Sequence, residues 1–298
     1  MHVDSGREMR GGQHQVLLLM KALRDAGHES TLLAREKSPL WNATARLGFA
    51  VYSAGLAELW HHSRNADVVH AHDARAHTTA ALGSRCKFVV SRRVAFPVRR
   101  TVTSMWKYRR AERFLAVSQF VARELETAGI RKEKIDVVYD AVEPAEHTEQ
   151  WKAEFPAVAL ASRDPQKGRD LVKQAAEMAG VPVVFSEDLA NDLRRASMFV
   201  YITRSEGLGS AALVAMNRSV PVIASCVGGL MEVLANGVSG ILVKNDTREI
   251  AHAMRSILEQ PAFAHSLIEN ARARIAECFT PEHLVRGTLL SYARALAL

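Results

Sequence analysis

The sequence has little of what defines several protein classes. Only three of its 298 residues are cysteines, and they are widely spaced in apolar surroundings. This excludes a disulfide-stapled scaffold and favours a reduced chain with small buried thiols at Cys86, Cys226 and Cys278. No uncharged stretch is long enough to span a bilayer, and the start carries no signal-peptide pattern. We therefore expect a cytoplasmic protein with at most peripheral membrane contact.

Acidic residues are outnumbered by basic ones in the first half of the chain alone. Residues 1–148 carry 23 Lys and Arg against 16 Asp and Glu, whereas residues 149–298 carry 16 of each, so the net charge of +7 belongs to the first half. From Arg85 to Arg113 ten basic residues accompany the single acid Glu112, with aromatic residues interleaved. This stretch suits an anionic membrane surface or a phosphorylated sugar, and a solvated basic face or a nucleic-acid site has the same composition.

Length and patterning predict two α/β domains. A chain of 298 residues that is 48% apolar can bury two cores. Strand-like apolar runs alternate with helical patterns along the chain, which indicates doubly wound parallel sheets. We place the first domain at 1–148 and the second at 149–281, with a polar hinge near 144–155.

The clearest candidate for a binding segment is the loop at 203–209. The apolar run Met198–Ile202 predicts a buried parallel strand before it, and the run of small and apolar residues after Gly209 predicts a helix packed on that sheet. Ligands bind at this point of open α/β sheets, because amides at a helix start lack partners inside the helix and the helix dipole favours negative charge. Gly207 allows a ligand to approach closely and Glu206 can accept hydrogen bonds from hydroxyls, so sugar and phosphate suit this loop.

Five motifs in one register carry a resemblance to a known family. They are S-E-G-x-G at 205–209, A-M at 215–216, P-V-I-A-S at 221–225, G-G-x-x-E-V at 228–233 and G-x-S-G-I-L-V at 237–243. This order resembles the donor half of glycosyltransferase family 4, whose members are retaining enzymes with the GT-B fold. The resemblance implies two Rossmann-like domains facing across a cleft, with a nucleotide-sugar donor on the second domain and the acceptor on the first. It also implies that a last helix, at about 282–298, packs back onto the first domain.

The resemblance assigns roles on the donor side. Glu206 would bind hydroxyls of the donor sugar, and Lys167 with Arg163 would hold the diphosphate, whose negative charge grows as the glycosidic bond breaks. Backbone contacts to the donor would come from two glycine turns: Gly207, Leu208, Gly209, Ser210, Gly11 and Gly12. No Asp-x-Asp motif is present, which fits an enzyme whose cations are side chains. We therefore expect no metal and no cofactor besides the nucleotide-sugar co-substrate.

The acceptor side is expected at the ends of two strands in the first half. His70 and His72 share one face of a strand that leads into Asp73. Three interpretations fit these residues: a metal site, a wall of the acceptor pocket, or hydrogen-bonded histidines of the core. Many relatives carry a histidine after the next strand, where this chain has Arg92 and Arg93. The acceptor-side candidates are therefore His72, Arg92 and Arg93, and the two arginines indicate an anionic acceptor.

The chain departs from the family pattern at further positions. The family's second glutamate, which holds the nucleotide ribose, is replaced by Val214, and Arg163 stands one residue later than the family's arginine. In the first half Asp140-Ala141-Val142-Glu143 replaces an Asn-Gly-Val-Asp turn. None of the motifs identifies the base, the sugar or the linkage.

The expected function is a hexosyl transfer with retained anomeric configuration. The acceptor would be a glycan or a lipid-linked, anionic glycan such as the core of an envelope lipopolysaccharide. One alternative is a catalytically silent relative that binds sugar nucleotide or a partner protein. The other is a nucleic-acid-binding module built on the basic stretch, although no nucleic acid is expected for the family.

Overall fold

Two compact α/β units make up the chain. The structure is a computed structural model that describes residues 1–98, 101–143, 145, 150–162 and 164–297. Unit 1 comprises Met1–Ala141 with Pro281–Leu298, and unit 2 comprises Val142–Thr280. Each unit is built on one parallel sheet, which confirms the predicted fold class.

In unit 1, strands and helices alternate along the chain. The described elements are β1 (His2–Asp4), α1 (Gly11–Asp25), β2 (Thr31–Ala34), α2 (Pro39–Arg46), β3 (Ala50–Ser53), α3 (Leu56–His62), β4 (Val69–Ala71), α4 (Ala74–Gly83), β5 (Phe88–Arg92), α5 (Val102–Arg110), β6 (Arg113–Ala116), α6 (Gln119–Thr127) and β7 (Ile135–Val137). Within these ranges the seven strands pair in the order β3-β2-β1-β4-β5-β6-β7. The strand order reverses between β1 and β4, the point at which doubly wound sheets bind ligands beyond the carboxyl ends of the strands.

Unit 2 repeats this plan with a smaller sheet. Its described elements are β8 (Ala157–Leu160), α7 (Arg169–Ala179), β9 (Val183–Ser186), α8 (Leu189–Asp192), β10 (Met198–Tyr201), α9 (Ser210–Asn217), β11 (Val222–Ser225), α10 (Leu230–Val233), β12 (Ile241–Val243), α11 (Thr247–Glu259) and α12 (Pro261–Cys278). The strands named here pair in the order β12-β11-β10-β8-β9. The order reverses between β8 and β10, so the loops that follow these two strands are positioned to bind a ligand.

The last helix, α13 (Pro281–Ala297), belongs to unit 1. Its Leu284 and Val285 are buried with Leu19 of α1 against the sheet, and each such burial stabilises the fold by about 1.5–3 kcal/mol. Arg294 of the same helix forms an ion pair with Asp136 of β7. Across the described ranges, no helix combines membrane-spanning length with a sufficiently apolar composition.

Two local features differ from what the sequence predicts. The edge strand β3 was not predicted. Its residues are alternately exposed and partly buried, because only one side of the strand is paired and packed. The expectation of buried thiols is wrong for Cys226, which is exposed in the turn after β11, while Cys86 and Cys278 are partly buried. An apolar neighbourhood in sequence does not bury a residue that stands in a loop.

Candidate functional site

Glycine shapes the loop between β10 and α9. Gly209 stands immediately before α9 with a φ of +101°, in the left-handed region that favours glycine. A Cβ atom on Gly209 would also lie 2.5 Å from Leu230 Cδ2. Leu208 is buried beside it. Both the backbone torsion and the packing at position 209 therefore require glycine.

A second glycine turn lies directly against this loop. The amide of Gly229 donates to the carbonyl of Glu206 at 3.1 Å. A Cβ atom on Gly228 would lie 2.2 Å from Glu206 O, and one on Gly229 would lie 2.1 Å from Gly207 O. Side chains at these two positions would force the two backbones apart, so the glycine pair is what lets the loops after β10 and β11 meet.

Two polar side chains and the backbone of Thr203 form a closed ring of hydrogen bonds beneath the loop. Thr203 N donates to Ser225 Oγ at 2.8 Å, and Ser225 Oγ donates to Asn245 Oδ1 at 2.6 Å. Asn245 Nδ2 then donates to Thr203 O at 2.9 Å. The ring joins the carboxyl ends of β10, β11 and β12. Sequence reasoning missed it, because its members are far apart in the chain.

Lys167 lies at the carboxyl end of β8, in the short turn that precedes α7. Gly168 follows it with a φ of +59°, and a Cβ atom on Gly168 would lie 2.5 Å from Ile202 Cγ2. The amide of Arg204 donates to the carbonyl of Gln166 at 2.9 Å. These contacts bring the turn against the loop after β10, and the Lys167 ammonium reaches Glu206 Oε2 at 2.8 Å. The structure thus brings Lys167 and Glu206 together, the two charged donor-side candidates among the described residues.

The Glu206 carboxylate has contacts on both oxygens. Its Oε1 accepts from the amide of Gly207 at 3.1 Å. Its Oε2 accepts from Lys167 Nζ and also from the hydroxyl of Tyr201, the last residue of β10. Burial, followed by the charge of Glu206, raises the pKa of Tyr201 well above its usual range, so the hydroxyl stays a donor. The sequence predicted Tyr201 as a buried strand residue and gave no sign of this contact.

The remaining donor-side candidates are placed as follows. Ser210 is the first residue of α9, and Val214 is partly buried one turn further along that helix. Gly11 and Gly12 are the first two residues of α1, in unit 1, with open space around a Cβ atom placed on either. Arg163 lies outside the described residues. The donor-binding roles of all these residues stay predictions.

On unit 1, a row of polar side chains crosses the central strands of the sheet. His2 pairs in register with His70, and alternation places His72 on the same face. Arg93 follows β5 and its Nε donates to Asp140 Oδ1 at 3.0 Å. Arg93 Nη1 also contacts His72 Nδ1 at 3.3 Å. The row therefore joins a buried ion pair to a cluster of histidines.

The guanidinium fixes the proton positions in this row. An arginine only donates, so His72 Nδ1 is an acceptor and its proton sits on Nε2. From there it donates to His2 Nδ1 at 2.9 Å. Burial, and then neighbouring positive charge, lowers the pKa of His2 and His72 well below the usual range of histidine. Both rings are therefore neutral.

The histidine cluster has the composition of a metal site but is already hydrogen-bonded. Ring nitrogens of His2, His70 and His72 lie within 4.8 Å of one another. The two nitrogens of His70 contact Tyr292 Oη and Ser91 Oγ, each at 2.8 Å. Asp73, which sequence reasoning grouped with these histidines, instead caps α4 and accepts from the hydroxyl of Ser5 at 2.8 Å.

The structure does not bring Arg92 together with the other two acceptor-side candidates. Successive strand residues point to opposite faces, so Arg92 leaves the sheet on the side away from Arg93. Its guanidinium donates to Tyr108 Oη at 3.2 Å and to the carbonyl of Phe96. An acceptor-side role for Arg92 stays a prediction.

Part of the basic stretch is exposed around α5, whereas residues 88–91 and Arg113 are buried. Phe96, Val102 and Trp106 are exposed there, and Val102 is 88% exposed. The Arg110 guanidinium lies 5.5 Å from the Trp106 ring. Arg99 and Arg100, which belong to the same stretch, lie outside the described residues. Apolar and cationic side chains therefore share this surface.

Two family models match the chain. The model of glycosyltransferase family 4 matches residues 9–146, and that of glycosyl transferases group 1 matches residues 161–274. The D-inositol 3-phosphate glycosyltransferase of Nocardioides sp. is 38% identical over 118 residues, which is 39% of this chain and 26% of the relative. That of Frankia alni is 36% identical over 135 residues, 43% of this chain and 33% of the relative. The matched region thus spans about a quarter to a third of these curated relatives.

Solved structures share the fold over nearly the full chain. Anabaena HepE, solved in complex with UDP-glucose, has a TM-score of 0.84 at 15% identity, covering 98% of both chains. The lipopolysaccharide outer core galactosyltransferase WaaB has a TM-score of 0.70 at 13% identity, covering 97% of both chains. At such identities the likeness concerns the fold, which is that of the GT-B glycosyltransferases.

Proposed function

We propose, because the chain belongs to glycosyltransferase family 4, that it transfers a sugar from a nucleotide-sugar donor to an acceptor. Unit 2 binds the donor and unit 1 binds the acceptor. Retention of the anomeric configuration and independence of a metal ion are part of the proposal. The observation that carries it is the meeting of Lys167 and Glu206 at the point where the strand order of unit 2 reverses.

The charge arrangement in unit 2 suits a leaving diphosphate. As the glycosidic bond breaks, negative charge grows on the diphosphate. Lys167 and the start of α9 supply positive charge at this place before the reaction begins, so no reorganisation is needed when that charge develops. We assign the same task to Arg163. Glu206 accepts hydrogen bonds from hydroxyls of the donor sugar.

A uridine nucleotide is the first donor to test. HepE, which shares the fold over 98% of both chains, was solved with UDP and glucose and with UDP-glucose. Its likeness supports a nucleoside diphosphate sugar in unit 2. The motifs of this chain do not distinguish between bases or sugars.

The acceptor is a phosphorylated or otherwise anionic glycan. Arg93 is held by Asp140 and by His72, and part of its side chain stays exposed. A fixed guanidinium binds phosphate and carboxylate groups well. A relative named for D-inositol 3-phosphate and a fold neighbour named for the lipopolysaccharide outer core support an acceptor of this class. A lipid-linked glycan such as a lipopolysaccharide core is our leading choice.

The surface around α5 brings the enzyme to an anionic membrane. Exposed Trp106 and Val102 suit the headgroup region, and the neighbouring arginines attract anionic lipid. Vesicle sedimentation tests this: vesicles with phosphatidylserine should bind the protein, and phosphatidylcholine vesicles should not. Steeply salt-dependent binding of DNA or RNA in preference to vesicles would contradict it and favour the nucleic-acid module.

Thermal-shift measurements with nucleoside diphosphates and their sugars test the donor site. A ligand that binds only the folded protein raises its apparent stability by mass action. We expect UDP to raise the melting temperature and Lys167→Ala to weaken UDP binding at least about 10-fold, since a charged contact to phosphate is lost. Glu206→Ala should retain UDP binding and lose turnover. Lys173→Ala, which removes an exposed lysine of α7, is the matched control.

Val214 favours one alternative, a catalytically silent relative. A valine cannot hold the hydroxyls of a nucleotide ribose, and the position is partly buried in α9. A protein that binds UDP and UDP-sugars but gives neither transfer nor slow donor hydrolysis would favour this alternative over the enzyme. Absence of binding by any nucleotide would contradict both.

A further inference from the structure

Under the proposed function, two anionic groups compete for the ammonium of Lys167: the Glu206 carboxylate and the donor diphosphate. In the structure its ammonium is bound to Glu206 Oε2 at 2.8 Å. The proposed donor brings a diphosphate that attracts the same ammonium. When Lys167 turns to the diphosphate, Glu206 Oε2 loses a charged partner, and the carboxylate needs another contact to keep its direction.

Tyr201 supplies that contact from a rigid position. It is the last residue of β10 and is paired with Ala224 of the neighbouring strand. Its ring packs against Phe199 at 5.5 Å between centroids, and the residue is 6% exposed. Its hydroxyl donates to Glu206 Oε2. A tyrosine fixed in this way cannot follow a ligand, whereas a lysine on a flexible stem can.

We infer that Tyr201 is a positioning residue: its hydroxyl keeps the Glu206 carboxylate aimed at the donor sugar after Lys167 has moved to the diphosphate. This inference rests on the proposed function. The exchange leaves Glu206 as a charged acceptor, because a neutral hydroxyl holds it without neutralising it. The lone pair that Lys167 gives up on Oε2 is then available to a sugar hydroxyl.

The contrasting interpretation is that Tyr201 only fills the core. The ring alone would then matter, since Tyr201 also lies next to Gly209, whose Cβ would be 3.5 Å from Tyr201 Cε1. Tyr201→Phe separates the two interpretations, because it keeps the ring and removes the hydroxyl. Tyr52→Phe makes the same change on the edge strand β3 of unit 1 and serves as the matched control.

The test compares binding and turnover of the full chain with UDP and UDP-glucose. We expect Tyr201→Phe to bind UDP within about 3-fold of the wild type and to lower kcat at least about 10-fold with little change in KM, because the lost contact positions the sugar and not the nucleotide. In a Glu206→Gln background the same change should alter kcat less than about 2-fold, since the two residues act as a unit. Tyr52→Phe should match the wild type.

Two outcomes would overturn the inference, and they are distinguishable. If the wild type turns over donor and Tyr201→Phe equals it within about 2-fold, or lowers kcat equally in the Glu206→Gln background, the positioning role is wrong while the proposed function stands. If the wild type shows no binding of any nucleotide and no turnover, the proposed function is wrong and the inference falls with it. A crystal structure with UDP adds a direct readout: Lys167 should leave Glu206, and Tyr201 should keep its hydrogen bond.

Discussion

Two ion pairs, one in each unit, differ in how far water reaches them. In unit 1 Arg93 and Asp140 lie 3.0 Å apart with side chains 14% and 5% exposed. In unit 2 Lys167 and Glu206 lie 2.8 Å apart with side chains 28% and 18% exposed. The distances are similar, so the difference in their roles comes from the surroundings.

The surroundings set what each pair can do. Arg93 is held on a second side by His72, and its partner Asp140 is nearly sealed, so neither charge can leave without a large desolvation cost. The side chain of Lys167 is flexible, and its ammonium and the Tyr201 hydroxyl both donate to Glu206 Oε2. The buried pair therefore supports the fold and presents a fixed cation, whereas the more accessible pair is free to exchange partners with a ligand.

The largest effect is expected from breaking the buried pair. Asp140→Ala leaves the Arg93 charge without its carboxylate and should lower the free energy of unfolding of unit 1 by about 3–5 kcal/mol. Lys167→Ala, the counterpart in unit 2, should change stability by no more than about 1 kcal/mol, because water screens that pair. Urea denaturation measures both.

A double variant sharpens this result. Replacing both charges, as in Arg93→Leu with Asp140→Leu, should recover much of the stability lost in Asp140→Ala, since no unpaired charge remains. Equal and small losses in Asp140→Ala and Lys167→Ala would show that burial does not distinguish the two pairs.

The two sites also differ in how much of them the sequence reveals. The loop of unit 2 was predictable because glycine acts locally there: Gly209 needs a left-handed backbone. Glu206 and Lys167 were found through motifs that the family shares. Tyr201 was not found, since its contact with Glu206 depends on the direction of the strand end and not on any pattern of residues.

The site of unit 1 was less predictable because it is assembled from distant strands. His72, Arg92 and Arg93 were predicted together as acceptor-side candidates. The structure places His72 in contact with Arg93, whereas alternation sends Arg92 to the other face. Neither His2 nor Asp140 was recognised as their partner, because β1 and β7 lie far away in the chain. Parallel order could be predicted from alternating strands and helices, whereas the register that joins these side chains could not.

A smaller effect is expected from crowding the two glycine loops of unit 2. Gly229 has a φ of −69°, which alanine adopts freely, so the obstacle is steric: a Cβ atom would lie 2.1 Å from Gly207 O and 2.5 Å from Leu208 Cα. Gly229→Ala should cost about 2–3 kcal/mol of stability through backbone displacement and weaken UDP binding, since Glu206 and Gly207 shift together. Gly55→Ala, at a position with nothing within 4 Å of its Cβ, is the control in unit 1. If Gly229→Ala lowers stability but leaves UDP affinity unchanged, the contact between the two loops does not shape the donor site.

The smallest effect concerns pH and the buried histidines, which the described structure places in unit 1. His77 donates from Nε2 to the carbonyl of Lys107 at 3.0 Å and is buried beneath α5. Burial, and then the charges of Lys107 and Arg92, lowers the pKa of His77 to about 4, against roughly 6.5 in an unfolded chain. Protonation between these values favours the unfolded chain. The contribution of His77 is therefore complete above about pH 6.5 and is lost as the pH falls toward 4.

His77→Gln keeps a donor for the Lys107 carbonyl and removes the titration. Between about pH 7.5 and pH 5.5 the wild type should lose about 1.4 kcal/mol more stability than this variant, the amount that one proton contributes over one pH unit. Between about pH 7.5 and pH 8.5 His77 is neutral in both states, so the wild type and the variant should change in parallel. Parallel behaviour at the lower pH as well would mean that His77 gains its proton without opening unit 1. The core of this unit would then accept a charge as readily as the partly buried site of the Lys167–Glu206 pair in unit 2.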